Sequence, residues 1–111
     1  MEQISVECTT EKQLVDLIAS PEGVLKVVRY YTPTCPACIA TLPEFERLAR
    51  DWKPKGVVFA TIDVNNVLMP KVLPTVKFIP AVLIFRRHAG CVMFHTGARL
   101  GEVEYFLTQR M

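Results

Sequence analysis

Residues 24–38 read VLKVVRYYTPTCPAC: an apolar, β-branched and aromatic run that stops at Thr32-Pro33-Thr34 and meets Cys35-Pro36-Ala37-Cys38. Val24 to Tyr31 predicts a strand covered on both faces, because apolar residues run on without a polar alternation. Pro36 then marks a helix start, where its missing N–H would have been unpaired anyway. Ile39, Leu42, Phe45, Leu48, Ala49 and Trp52 recur at three- and four-residue spacing, so the helix runs from about Pro36 to Trp52. Pro43 lies inside it and predicts a kink. Strand, short turn and helix together place two cysteines at a helix N-terminus. Unpaired N–H groups and partial positive charge there stabilise a thiolate on Cys35, and Cys38 is spaced to attack a mixed disulfide formed by it. Cys35 is therefore the candidate nucleophile and Cys38 the candidate resolving thiol.

Outward from this unit, Ile4 to Glu7 reads as a short strand. Thr10-Glu11-Lys12-Gln13 has the form of a capping box, opening a helix to about Ala19 with Leu14, Leu17 and Ile18 on one face. Ser20-Pro21-Glu22-Gly23 breaks it. Pro54-Lys55-Gly56 ends the long helix, and Val57 to Val64 is a second buried-strand reading. Asn65 to Val72 has room for a short helix, interrupted by Pro70. Ala81–Arg87 and Cys91–Thr96 read as strands separated by His88-Ala89-Gly90, hence an antiparallel hairpin. Gly97 ends it, and Leu100, Val103, Phe106 and Leu107 mark a C-terminal helix. The order β-α-β-α-β-α-β-β-α predicts an α/β fold with parallel pairings and an antiparallel end.

The 111 residues fit one domain spanning 1–111, and half of them are hydrophobic, enough for an ordinary core. Net charge is +2, with the basic residues dispersed apart from Arg86-Arg87, which argues against a nucleic-acid footprint. No apolar run reaches membrane-spanning length. MEQISVECTT has no basic segment followed by an apolar stretch, so no signal peptide is expected. Four cysteines, unevenly spaced, fit a reducing, cytoplasmic compartment better than a secreted disulfide scaffold. Zinc would need more ligands than one CxxC supplies. Cys8, Cys91, His88 and His95 form no second ligand pattern, so no metal is expected.

Taken in order, these segments resemble the thioredoxin family over nearly the whole chain. VVRYYTPTC leads into CPAC, Pro43 follows Cys38 by five residues, ATIDVN resembles the third strand, and VKFIPAVLIF resembles the segment that carries a cis-proline. Gly97 matches the glycine before the last helix. The resemblance implies a thioredoxin-like fold: a central mixed sheet of about five strands flanked by helices on both faces. It implies a protein-disulfide oxidoreductase with no bound cofactor, since the cysteine pair carries the electrons. The partners implied are disulfide-containing protein substrates and an external reductant, such as a thioredoxin reductase or glutathione. Pro80 takes the cis-proline position, so Ile79 would offer its backbone to an extended substrate. Tyr31 and Thr34 fall on positions beside the active site.

The chain also departs from the family pattern. The tetrapeptide is CPAC rather than CGPC, with Pro36 as a tuning residue in glutaredoxin style. Thr34 stands where a tryptophan is usual, Arg29 where a buried acid is usual, and Thr61 where that acid's lysine partner is usual. A guanidinium accepts no proton, so Arg29 is expected to favour thiolate by its charge. Strand alternation makes Asp63 its expected partner, unless Arg29 extends to solvent over apolar surface. Two other readings compete: a thioredoxin-fold adaptor with little turnover, and a glutathione-dependent glutaredoxin-like enzyme.

Overall fold

The computed structural model describes residues 5–67 and 74–110. Five strands, β1 (Val6–Cys8), β2 (Leu25–Tyr31), β3 (Val58–Asp63), β4 (Ala81–Arg86) and β5 (Gly90–Thr96), form one sheet in the order β1-β3-β2-β4-β5. β2 is central. It pairs in parallel with β3, which pairs in parallel with β1, and antiparallel with β4, which forms the hairpin with β5. Every residue of β2 from Leu25 to Tyr30 is buried, the two cations Lys26 and Arg29 included. Cys8 and Cys91 lie on opposite edge strands, and all four cysteines are free thiols.

Among the described residues, three α-helices cover the sheet: α1 (Glu11–Ala19), α2 (Pro36–Trp52) and α3 (Gly101–Arg110). On one face, Phe45, Leu48, Ala49 and Trp52 of α2 and Val103 and Leu107 of α3 pack on Val27, Phe59, Val82 and Ile84. Phe45 meets Phe59 edge-on with ring centroids 5.6 Å apart, a geometry that the ring quadrupoles favour. On the other face, Leu14 of α1 packs with Val28, Tyr30, Ile62, Leu83 and Phe85. The mixed sheet with helices on both faces is thus observed. Of the short helix expected over 65–72, residues 68–72 lie outside the described residues; before them Val64–Asn66 form a 3-10 turn. The first strand is displaced toward Cys8, whose buried side chain sits opposite Ile62; Ile4 is outside the described residues.

Local chemistry sets the helix ends. The Thr10 hydroxyl caps α1 by accepting from the Gln13 N–H at 3.1 Å. The reciprocal half of the expected capping box is altered, since the Gln13 side chain accepts from the Thr9 N–H at 2.7 Å rather than from Thr10. At the other end of α1 the fully buried Lys26 ammonium of β2 donates to the carbonyls of Ile18 and Ser20. A cation there also complements the negative end of the helix dipole. Gly23 precedes β2 at φ +72°, where a Cβ would come within 2.8 Å of the Gly56 carbonyl oxygen, so only glycine fits. α2 continues through Pro43, with Thr41 below it in reach of the Ala37 carbonyl and, 57 positions away, that of Ala98. This ties the start of α2 to the segment between β5 and α3.

Candidate active site

The C-terminal end of β2, the N-terminus of α2 and the N-terminal end of β4 meet at one edge of the molecule, because β4 runs antiparallel to β2 with Tyr30 opposite Ala81. Cys35 is the N-cap residue of α2. Its backbone is extended, and its sulfur accepts from the Cys38 N–H at 3.1 Å. Pro36 occupies the first turn. Cys35 is half-buried, whereas Cys38, one turn in, has no exposed surface. The turn of the helix therefore separates an accessible sulfur from an enclosed one.

Electrostatics sharpen the difference. The Cys35 thiol is held below its ordinary value, first by the hydrogen bond from the Cys38 thiol, then by the N–H groups of Cys38 and Ala37 and by the charge of Arg29; partial desolvation opposes them. Cys38 is pushed up, first by burial and then because its proton is shared with Cys35. One thiol is thus poised to ionise while the other keeps its proton, the division of labour that nucleophile and resolving thiol require.

In the segment that leads into β4, the Ile79–Pro80 bond is cis, Pro80 is buried, and its carbonyl accepts from the Gly97 N–H at 2.9 Å. Thr34 is exposed just before Cys35, Ile39 is exposed just after Cys38, and Phe78 is 72 % exposed two residues before Pro80. The exposure of Ile39 departs from the sequence reading, which counted it toward the apolar stripe of the helix.

Arg29 does not reach solvent. It is 4 % exposed; its Nη2 donates to the Cys38 carbonyl at 2.7 Å, and its guanidinium lies 4.5 Å from the centre of the Tyr31 ring. Asp63 is not its partner. Register puts Thr61 opposite Arg29 and Asp63 opposite Tyr31, at the strand end, where the Asp63 carboxylate accepts from the Asn65 N–H at 2.9 Å. The carboxylate whose field reaches Arg29 is Glu7 of β1, which the sequence pattern did not single out. Tyr31 is turned to the same group, its hydroxyl donating to Glu7 at 2.6 Å. Among the described residues, no group of three or more His, Cys, Asp or Glu could hold a metal ion. No helix among them is long and apolar enough to cross a membrane.

The same architecture recurs in solved thioredoxins. Thioredoxin f from spinach chloroplast superposes with a TM-score of 0.81 at 21% identity, over 95% of this chain and 84% of that one. Thioredoxin f2 of Chlamydomonas reinhardtii gives 0.81 at 21% identity over 96% of each chain. Fasciola hepatica thioredoxin gives 0.80 at 24% identity, over 96% of this chain and 99% of that one. Among curated proteins, none matches the sequence. The thioredoxin family model matches residues 5–108, which takes in every strand and the CPAC turn, and the chain belongs to the thioredoxin family.

Proposed function

We propose that this protein exchanges disulfide bonds with protein substrates through Cys35 and Cys38. Membership of the family supports thiol–disulfide oxidoreduction in general. The observation that carries the finer reading is the asymmetry of the pair: an accessible thiol of lowered pKa at the helix N-cap and an enclosed thiol of raised pKa one turn in.

The chemistry runs in two exchanges. Cys35 thiolate attacks one sulfur of a substrate disulfide; the substrate's other sulfur leaves as thiolate and takes up a proton. Cys38 then loses its proton and attacks the Cys35 sulfur, which releases the second substrate thiolate and leaves Cys35–Cys38 oxidised. Two electrons have passed to the substrate, and an external dithiol, a reductase or glutathione returns them. An extended substrate segment would pair with the backbone of Ile79 beside Pro80, with Thr34, Ile39 and Phe78 around it. A reducing, cytoplasmic compartment fits this cycle, because it keeps the pair as dithiol between turnovers.

Insulin reduction with dithiothreitol as electron donor tests the reading, repeated with a thioredoxin reductase and with glutathione. Turnover is expected to vanish in Cys35→Ser, and Cys38→Ser is expected to accumulate substrate mixed disulfides on Cys35. Turnover that survives Cys35→Ser would overturn the assignment. Turnover with glutathione alone would move it to the glutaredoxin type. An inactive wild type whose double cysteine variant keeps its binding partners would make it an adaptor.

A further inference from the structure

Arg29 is a buried cation set directly under a dithiol, and the exchange chemistry alone does not account for how it is held. Its Nη2 reaches the Cys38 carbonyl, but its Nε has no hydrogen-bond partner among the described residues. Taking a guanidinium out of water is costly unless a negative charge compensates it.

Strand register brings one within range. Glu7, Thr61 and Arg29 stand opposite one another in a row across β1, β3 and β2. The Glu7 carboxylate accepts from the Thr61 hydroxyl on one oxygen and from the Tyr31 hydroxyl on the other, the latter at 2.6 Å. Tyr31 therefore holds Glu7 by its hydroxyl and stacks on the guanidinium by its ring. These side chains line one cleft of about 380 Å³ beside the CPAC turn, closed on the α2 side by Ile39, Leu42 and Glu46.

We propose that Glu7 is a positioning residue for the dithiol: from edge strand β1 it supplies the counter-charge that keeps Arg29 under Cys38, clamped in place by Thr61 and Tyr31. The charged and titratable groups around it are Arg29 and Tyr31 from β2, Asp63 from β3, and Cys35, Cys38 and Glu46 from α2. Asp63 is turned to the Asn65 N–H, and among the described residues no hydroxyl donates to Glu46 as two do to Glu7. Without the Glu7 charge, the guanidinium acts on the thiols uncompensated. Thiolate is then favoured further, and the pair becomes more oxidising.

The redox consequence rests on the disulfide-exchange reading, but the pairing itself is read from unfolding, so the two fail separately. Urea midpoints of the reduced protein are compared for wild type, Glu7→Gln, Arg29→Gln and the double variant. Glu7→Gln is expected to lower the midpoint in the wild-type background and to leave it unchanged in the Arg29→Gln background. Equal losses in both backgrounds would overturn the pairing. The second readout is the redox potential against dithiothreitol. Glu7→Gln removes the charge and keeps a hydrogen-bonding partner for each hydroxyl, its carbonyl oxygen accepting from one and its amide N–H donating to the other, so its potential is expected to become less negative, with Glu7→Asp close to wild type. A potential that is unchanged or more negative in Glu7→Gln would overturn the positioning role.

Discussion

Replacing Arg29 with leucine removes the one cation built into the floor of the CPAC turn. Three influences that lower the Cys35 pKa survive the change: the Cys38 thiol, the Cys38 N–H and the Ala37 N–H. Arg29 is the weakest of the four. The effect is therefore limited. Less thiolate stabilisation disfavours the dithiol form, so the potential of Arg29→Leu becomes more negative, by less than about 30 mV, the step equivalent to a tenfold change in the equilibrium constant of this two-electron couple. Arg29→Asp places a like charge beside the thiols and is expected to go further in the same direction. Stability is a separate matter. Leucine loses the charge-assisted hydrogen bond to the Cys38 carbonyl, worth about 1.5–3 kcal/mol. It also escapes the desolvation of a buried guanidinium, which offsets part of that loss. The net loss stays below the stability of an ordinary domain, about 5–15 kcal/mol, so the leucine variant folds and its potential is measurable. The assay is equilibration of each protein with dithiothreitol buffers, paired with the pH dependence of its alkylation. Equal potentials in wild type, Leu and Asp variants would mean that Arg29 does not sense the cysteines. A leucine shift well beyond tenfold would mean that Arg29, rather than the Cys38 thiol and the helix N–H groups, is the main source of thiolate stabilisation.

Alkylation of the reduced protein by iodoacetamide at neutral pH should label Cys35 first, and Cys38 only slowly even at alkaline pH. The signs are opposite for the two thiols. The stabilisation linked to the lowered Cys35 pKa is fully present above the unfolded thiol value of about 8.5 and is lost as pH falls through the folded value, whereas raised Cys38 makes the reduced fold weaken as pH climbs above 8.5. Preferential labelling of Cys38, Cys8 or Cys91 would contradict the assignment. In the core, Phe45→Ala deletes a fully buried ring packed edge-on against Phe59 and should cost about 3–5 kcal/mol by urea unfolding; a loss below about 1 kcal/mol would contradict that packing.

Much of the architecture was legible in the chain because the signals that carry it are local. The apolar run before Thr32 reads as a covered strand, the stripe of Phe45, Leu48, Ala49 and Trp52 faces the sheet while Ile39 at its start stays exposed, and Thr10 caps the helix that follows it. Each depends on neighbours within about four positions, where backbone geometry dictates which side chains share a face. Cys35 at the start of a helix belongs to the same class, since its chemistry follows from unpaired N–H groups that any helix start provides. The surroundings of Arg29 were not legible. Alternation put Thr61 and Asp63 on one face of a strand, but which of them stands opposite Arg29 depends on the register of β2 against β3. Glu7 meets Thr61 across 54 positions of sequence. Lys26 carried no sequence reading of its own; only the docking of α1 sets the Ile18 and Ser20 carbonyls over its ammonium. Register and helix docking are chosen by the burial of the whole core, not by the residues they bring together. The candidate nucleophile could therefore be read from sequence, whereas the charges around it were decided only when the strands paired.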